Sequence, residues 1–148
     1  MTVSQSWGAP ILVAEDDLLI GELVMLHLNA AGHQTAWVKS GRDVMSRVYA
    51  IRPRLLVLDI GLPVVSGFDI LAEIRRQPVF AKLPILVLTA RHAPGDVKRA
   101  LTLGASDYVA KPFEVGLLMK RVERLLAPRP QKPVAKAPAP DDRNAIIL

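Results

Sequence analysis

Five short apolar runs alternate with five segments of helical length along this chain, and that alternation leaves few folds open. The runs are Ile11-Leu12-Val13-Ala14, Thr35-Ala36-Trp37-Val38, Leu55-Leu56-Val57-Leu58, Ile85-Leu86-Val87-Leu88 and Tyr108-Val109-Ala110. Between and after them lie residues 18–31, 40–51, 66–77, 94–103 and 114–126, which read as helices. A β-α repeat of this kind predicts an α/β fold, a doubly wound and mainly parallel five-stranded sheet covered on both faces. The third and fourth runs carry no polar residue, as doubly covered strands require.

The helix punctuation agrees. Ser40 and Ser66 stand where N-caps are expected, with Asp43 and Asp69 three residues on. Gly32 and Gly104 follow the apolar ends of the first and fourth helices, where a left-handed cap is expected. Leu117, Leu118, Val122, Leu125 and Leu126 recur at helical spacing and read as core.

Composition narrows the classes further. A chain of 148 residues fits one ordinary domain, and with 51% hydrophobic but only 5% aromatic residues its core is aliphatic. The absence of cysteine excludes disulfides and thiolate metal sites. No run approaches the roughly 18 apolar residues of a membrane span, and residues 1–9 lack the pattern of a signal peptide. The expectation is a cytoplasmic domain over residues 10–127 with a flexible N-terminus over 1–9. At Ala127 the composition turns to proline, alanine and lysine, so residues 128–148 are expected to form an extended, disordered tail or linker. The net charge of +5 is spread along the chain and predicts a solvated basic surface, with neither direct nucleic-acid nor membrane binding.

Chemistry gathers at the strand ends. Asp59 follows the third run, Glu15-Asp16-Asp17 the first, Thr89-Ala90 the fourth and Lys111-Pro112 the fifth. The carboxyl ends of strands are where doubly wound sheets bind ligands, and strands one and three can be neighbours at the switch point. Carboxylates converging there repel unless a cation joins them, and all-oxygen ligands favour Mg²⁺. Lys111 can contact an anion, and Thr89 can donate a hydroxyl hydrogen bond. Together these groups suit phosphoryl transfer to an aspartate. Each also has a plain explanation alone: acids favoured by the first helix dipole, a surface lysine, a β-branched strand residue.

The stretches Ile11 to Asp17, Asp59-Ile60-Gly61-Leu62-Pro63-Val64-Val65-Ser66-Gly67, Leu88-Thr89-Ala90 and Asp107 to Phe113 together resemble the receiver (CheY-like) domain of bacterial two-component response regulators. The resemblance implies a flavodoxin-like (βα)5 fold with strand order 2-1-3-4-5. It implies Asp59 as phospho-acceptor, with Mg²⁺ held by Asp59, Asp16, the Gly61 backbone carbonyl and Glu15 acting mainly through water. It also implies Thr89 as the switch hydroxyl, Tyr108 as the switch aromatic, Lys111 as partner of the phosphoryl oxygens and a cis Lys111-Pro112 bond. Asp17 receives no role. A sensor histidine kinase or histidine phosphotransfer protein would donate the phosphoryl group. The receiver would catalyse that step and its slow reversal itself, without being an enzyme toward other substrates. A downstream protein would read the face formed by the fourth helix, fifth strand and fifth helix.

Several positions depart from that pattern or leave choices open. Gly61 lacks a side chain two residues past Asp59, while Arg91, two past Thr89, is expected to cover the phosphoryl group and lengthen its lifetime. Gly116 is expected to allow close packing at the start of the last helix rather than to loosen it. Asp107 and Arg121 suit a symmetric dimer face, but Leu117 replaces an expected acid, so a monomer or weak dimer is expected. His27, His33 and His92 read as ordinary helix or loop residues. A stand-alone receiver is expected; the alternative is the receiver half of a DNA-binding regulator whose effector follows the tail. From other classes, an aspartyl-nucleophile hydrolase would need an acid where Gly61 stands, and a degenerate binding-only receiver would not keep every acid, Thr89 and Lys111.

Overall fold

The computed structural model describes residues 9–90 and 94–128. Its elements run β1 (Ile11–Ala14), α1 (Leu18–Ala30), β2 (Thr35–Val38), α2 (Val44–Ile51), β3 (Leu55–Asp59), α3 (Gly67–Arg76), β4 (Ile85–Ala90), α4 (Pro94–Thr102), β5 (Asp107–Lys111) and α5 (Val115–Leu126). The strands are parallel throughout, in the order β2-β1-β3-β4-β5. This is the expected doubly wound sheet. The expected N-terminal and C-terminal segments fall outside the described residues except at Ala9 and Pro128, and Arg91 and His92 lie outside them too.

Period-two alternation sorts the apolar strand residues between two cores. Leu12, Leu56, Leu58, Ile85 and Val87 pack with Val44 and Val48 of α2 and Phe68, Leu71 and Ile74 of α3. Ile11, Val13, Val57, Leu86 and Leu88 face the other way, against Val24 and Leu28 of α1 and Leu118 and Val122 of α5. Because β1, β3 and most of β4 are buried from end to end, the central strands have no slack in register. Their carboxyl ends therefore hold fixed positions relative to one another.

Caps set where the helices begin and end. Ser66 accepts a hydrogen bond from the Phe68 N–H and starts α3, as expected. Ser40 also caps, but the segment it starts is a single 3-10 turn, Gly41–Asp43, and α2 proper begins only at Val44. Asp43 makes no capping bond there. Gly32 and Gly104 adopt φ values of +94° and +112°, the left-handed region that ends a helix.

Gly116 corrects one expectation. A Cβ built there would meet nothing within 4 Å, so no neighbour packs closely enough to require glycine. Its effect on α5 is confined to backbone entropy in the first turn. Gly116→Ala is accordingly expected to stabilise the fold by about 1 kcal/mol. Urea denaturation checks this: the midpoint should rise at unchanged slope.

Candidate functional site

The sheet register builds the site. Asp59 of β3 lies opposite Leu88 of β4, and Ala90 of β4 lies opposite Lys111 of β5. Asp59, Thr89 and Lys111 thus reach one edge together, beside the loop that leaves β1. Glu15, Asp16, Asp17, Asp59, Gly61, Thr89 and Lys111 line one cavity of about 340 Å³. The residues expected at the phosphoryl and metal centre meet there, apart from Arg91, which lies outside the described residues.

Each is held by its surroundings. The Lys111 ammonium lies 3.1 Å from Asp59 Oδ2 and 2.9 Å from Glu15 Oε1, the latter contact set by charge rather than by an aligned hydrogen bond. The other Asp59 oxygen, Oδ1, accepts the Gly61 N–H at 2.9 Å. A Cβ at Gly61 would touch that same oxygen at 3.7 Å, so glycine leaves Asp59 open on this side. Glu15 Oε2 accepts the Asp17 N–H at 3.1 Å. Lys111-Pro112 is cis, as expected. Thr89 is buried, and its hydroxyl has no hydrogen-bond partner among the described residues.

The electrostatics follow from burial and crowding. Glu15 is fully buried, and desolvation pushes its carboxyl up to about 7. The neighbouring Asp59 adds to the rise, while Lys111 and the Asp17 N–H oppose it. Burial works against the Lys111 ammonium, but Glu15 and Asp59 outweigh it and hold the lysine above its ordinary value. Glu15, Asp16 and Asp59 each place a carboxylate oxygen within 4.8 Å of the others. Three oxygen donors, one of them exposed, with room left in the cavity, fit a hard cation such as Mg²⁺ that keeps several waters.

A profile of the response regulator receiver domain matches residues 11–123. The chain belongs to this family. It is 43% identical over 115 residues to the response regulator PmrA of Pseudomonas aeruginosa, and 38% identical over 116 residues to the phosphate regulon transcriptional regulatory protein PhoB of Rhizobium meliloti. Each alignment covers 78% of this chain but 51% of the relative, so the chain spans about half the length of these regulators. Among solved structures, chemotaxis response regulator CheY4 of Vibrio cholerae aligns with a TM-score of 0.75 at 28% identity, over 80% of this chain and 98% of its own. The receiver domain of a Pseudomonas aeruginosa sensor histidine kinase aligns with a TM-score of 0.73 at 30% identity, over 80% and 98%. That receiver has a magnesium ion coordinated in its active-site cleft.

Tyr108 stands apart from the acidic cavity. It lines a second one of about 610 Å³, with Pro112, Phe113, Glu114, Leu117 and Arg121, between β5 and α5. Asp107 does not reach outward there. Arg121 Nη1 donates to its Oδ1 at 2.8 Å and Arg124 pairs with its Oδ2. Burial opposes ionisation of Asp107, but the Tyr108 N–H and the two arginines outweigh it and hold its carboxyl below the ordinary range. Both groups suggested for a dimer face are thus engaged within the chain.

Three further placements go beyond the sequence pattern, which offered Asp17 only a role in the first helix dipole. Asp17 is the N-cap of α1, its Oδ1 accepting from the Leu19 and Ile20 N–H groups at 2.9 and 3.1 Å. Asp96, in the first turn of α4, also lines the acidic cavity. His33 bridges the fold: Nδ1 accepts from Arg54 at 2.9 Å while Nε2 lies 2.8 Å from Glu123 of α5. His27 is the ordinary helix residue expected, bonded to the Leu23 carbonyl.

Glu15 makes the metal-free protein sensitive to pH. Its folded-state pKa lies above the ordinary value of 4.5, so between about pH 4.5 and 7 the folded state binds the extra proton and stability falls as pH rises. The loss is expected to be roughly 3 kcal/mol. Denaturation in a chelating buffer across that range checks it, and Glu15→Gln should flatten the slope.

Proposed function

We propose that this receiver accepts a phosphoryl group on Asp59 from a histidine kinase or a histidine phosphotransfer protein and reports that state through a protein-binding face. The observation that carries this is the meeting of Asp59, Lys111 and the unpartnered Thr89 hydroxyl in one cavity with Glu15 and Asp16. An Asp59 oxygen forms the bond to phosphorus as the P–N bond of the donor phosphohistidine breaks; the departing nitrogen keeps the electron pair and takes up a proton. Lys111 releases part of its hold on Asp59 and Glu15 to contact the phosphoryl oxygens, and Thr89 turns its hydroxyl hydrogen onto one of them. Asp16, Asp59 and the Gly61 carbonyl would hold Mg²⁺, with Glu15 supporting them through water. When bound, the ion supplies charge neutralisation on the transferring oxygens. The protein catalyses this step on itself, and the slow hydrolysis that reverses it, and acts on no separate substrate. Gly61 in place of a second acid tells against an aspartyl hydrolase.

Movement of Thr89 carries the change outward. Tyr108 follows it and alters the α4-β5-α5 face, where the 610 Å³ cavity between β5 and α5 lies ready for a partner side chain. The donor approaches the strand ends, and α1 starts beside them. On α1, Leu19, Leu23 and Leu26 recur at helical spacing and are 79%, 38% and 63% exposed, an apolar stripe suited to a helical donor. Among the described residues no helix is long and apolar enough to cross a membrane, which suits a cytoplasmic partner of such a donor.

A second reading for the output is favoured by the relatives. PhoB of Rhizobium meliloti and AfsQ1 of Streptomyces coelicolor are named as transcriptional regulatory proteins, and the chain matches about half of each. On that reading the receiver is the regulatory half of a DNA-binding protein.

Incubation with Mg²⁺ and acetyl phosphate, followed by intact mass measurement, should show a gain of one phosphoryl group, lost in Asp59→Ala and much reduced in Lys111→Met. An equal gain in Asp59→Ala would overturn the assignment. Leu19→Asp with Leu23→Asp should slow transfer from a phosphorylated histidine donor at least tenfold while leaving acetyl phosphate labelling unchanged. Radiolabel transfer time courses read the difference.

A further inference from the structure

Trp37 is the largest side chain of β2, and nothing in the chemistry of phosphoryl transfer requires it. Its place in the fold is nonetheless specific. In the register of β1 with β2 it lies opposite Val13, two residues before Glu15. The indole reaches past the strand end, and Nε1–H donates to the main-chain carbonyl of Glu15 at 2.9 Å. The main-chain N–H of Glu15 is bound too, to the Val38 carbonyl at 3.1 Å. Both peptide groups of Glu15 are therefore held by consecutive residues of β2.

The ring has a seat of its own. A Cβ at Gly21 of α1 would lie 2.0 Å from its Cζ2 atom, so any side chain there would displace the indole. On its own face the ring carries Lys39 Nζ, 4.3 Å from the centroid. A partly buried tryptophan usually finds some acceptor for its N–H, and packing alone would account for that much. Packing alone does not account for the acceptor chosen. The Glu15 carbonyl belongs to the peptide that joins Glu15 to Asp16. Fixing that plane sets the direction in which the Glu15 side chain enters the cavity and the point from which the Asp16 side chain starts.

The geometry points to Trp37 as a positioning residue for the Glu15-Asp16 acid pair, holding the loop after β1 in the conformation that binds a divalent cation. It touches no reacting atom; it acts through the Glu15 backbone, as partners behind metal ligands do. The inference rests on the Mg²⁺ assignment made above, and its test separates the two.

Isothermal titration of Mg²⁺ into the full chain reads the effect directly, without phosphorylation. Wild-type protein should bind, and Asp16→Ala should not. Wild-type protein that takes up no Mg²⁺ would overturn the metal assignment and this inference with it. Trp37→Phe keeps an aromatic ring on Gly21 but has no N–H, and its Mg²⁺ dissociation constant should rise roughly tenfold. Replacement of Trp37 by benzothienylalanine, which keeps the bicyclic shape and exchanges N–H for sulfur, guards against loss of fold in the phenylalanine variant. That analogue should melt near the wild-type temperature yet bind Mg²⁺ as weakly as Trp37→Phe. Wild-type affinity in the analogue would show that the ring merely fills space and would overturn the inference.

Discussion

One ammonium ties the carboxyl ends of three strands together. Lys111 leaves β5 and lies between Glu15, just past β1, and Asp59, at the end of β3. Both carboxylates are buried, and the ammonium between them offsets the cost of keeping them charged there. Removing one partner of a buried ion pair typically costs about 3–5 kcal/mol, because the charge left behind has no solvent. The parallel order β2-β1-β3-β4-β5 is what makes this arrangement possible, since it sets β1 beside β3 and brings all strand ends to one edge. Topology and electrostatics thus constrain each other: the sheet delivers the charges, and the lysine lets the sheet keep them.

The loop after Asp59 shows how backbone contacts protect that arrangement. A Cβ at Gly67 would fall 2.5 Å from the Ile60 Cα and 2.7 Å from the Asp59 carbonyl oxygen, so the start of α3 presses directly on the end of β3. Gly41 gives the same close approach to the Val65 carbonyl at 2.3 Å. Between these clamps Val64 adopts φ +72°, with the Val65 N–H closing a tight turn onto the Pro63 carbonyl at 2.8 Å. A β-branched residue in the left-handed region carries strain of about 1–3 kcal/mol. It persists because Pro63 restricts the chain on one side and the close-packed glycines on the other. Strain of this kind five residues from Asp59 marks a loop whose shape is imposed by its neighbours.

Much of this was legible in the sequence, for physical reasons. Buried parallel strands leave continuous apolar runs, so Leu55–Leu58 and Ile85–Leu88 announced themselves, and the residues that follow such runs are where a doubly wound sheet exposes its chemistry. Asp59, Thr89, Lys111 and Glu15 were found that way. What was hidden depends on contacts distant in sequence or on backbone geometry. The near-capping pattern at Ser40 did not disclose a 3-10 turn in place of a helix start. Asp17 looked like another acid of a cluster, yet its carboxylate caps α1. Gly116 looked like a packing glycine and has open space around it. The bridge from Arg54 through His33 to Glu123 spans 90 residues between its last two members, and no local pattern encodes it.

The site is also left short of partners in a particular way. Thr89, buried next to Asp59, has no hydrogen-bond partner for its hydroxyl among the described residues. Two buried carboxylates share one ammonium, and Glu15 answers by holding its proton up to about 7. A phosphoryl group on Asp59 would bring acceptor oxygens for both the hydroxyl and the ammonium, and a cation among the acids would remove the reason for Glu15 to stay protonated. The unmodified site is therefore poised: each unmet demand is one that the proposed modification satisfies. Thr89 shares its strand with Val87, which lies opposite Tyr108 on β5, so on the proposed reading a hydroxyl drawn to the phosphoryl group would pull on the strand pair beside the proposed output face. A population shift needs only such a difference in interaction energy between two states, and under the proposed function a phosphoryl partner for Thr89 would supply it.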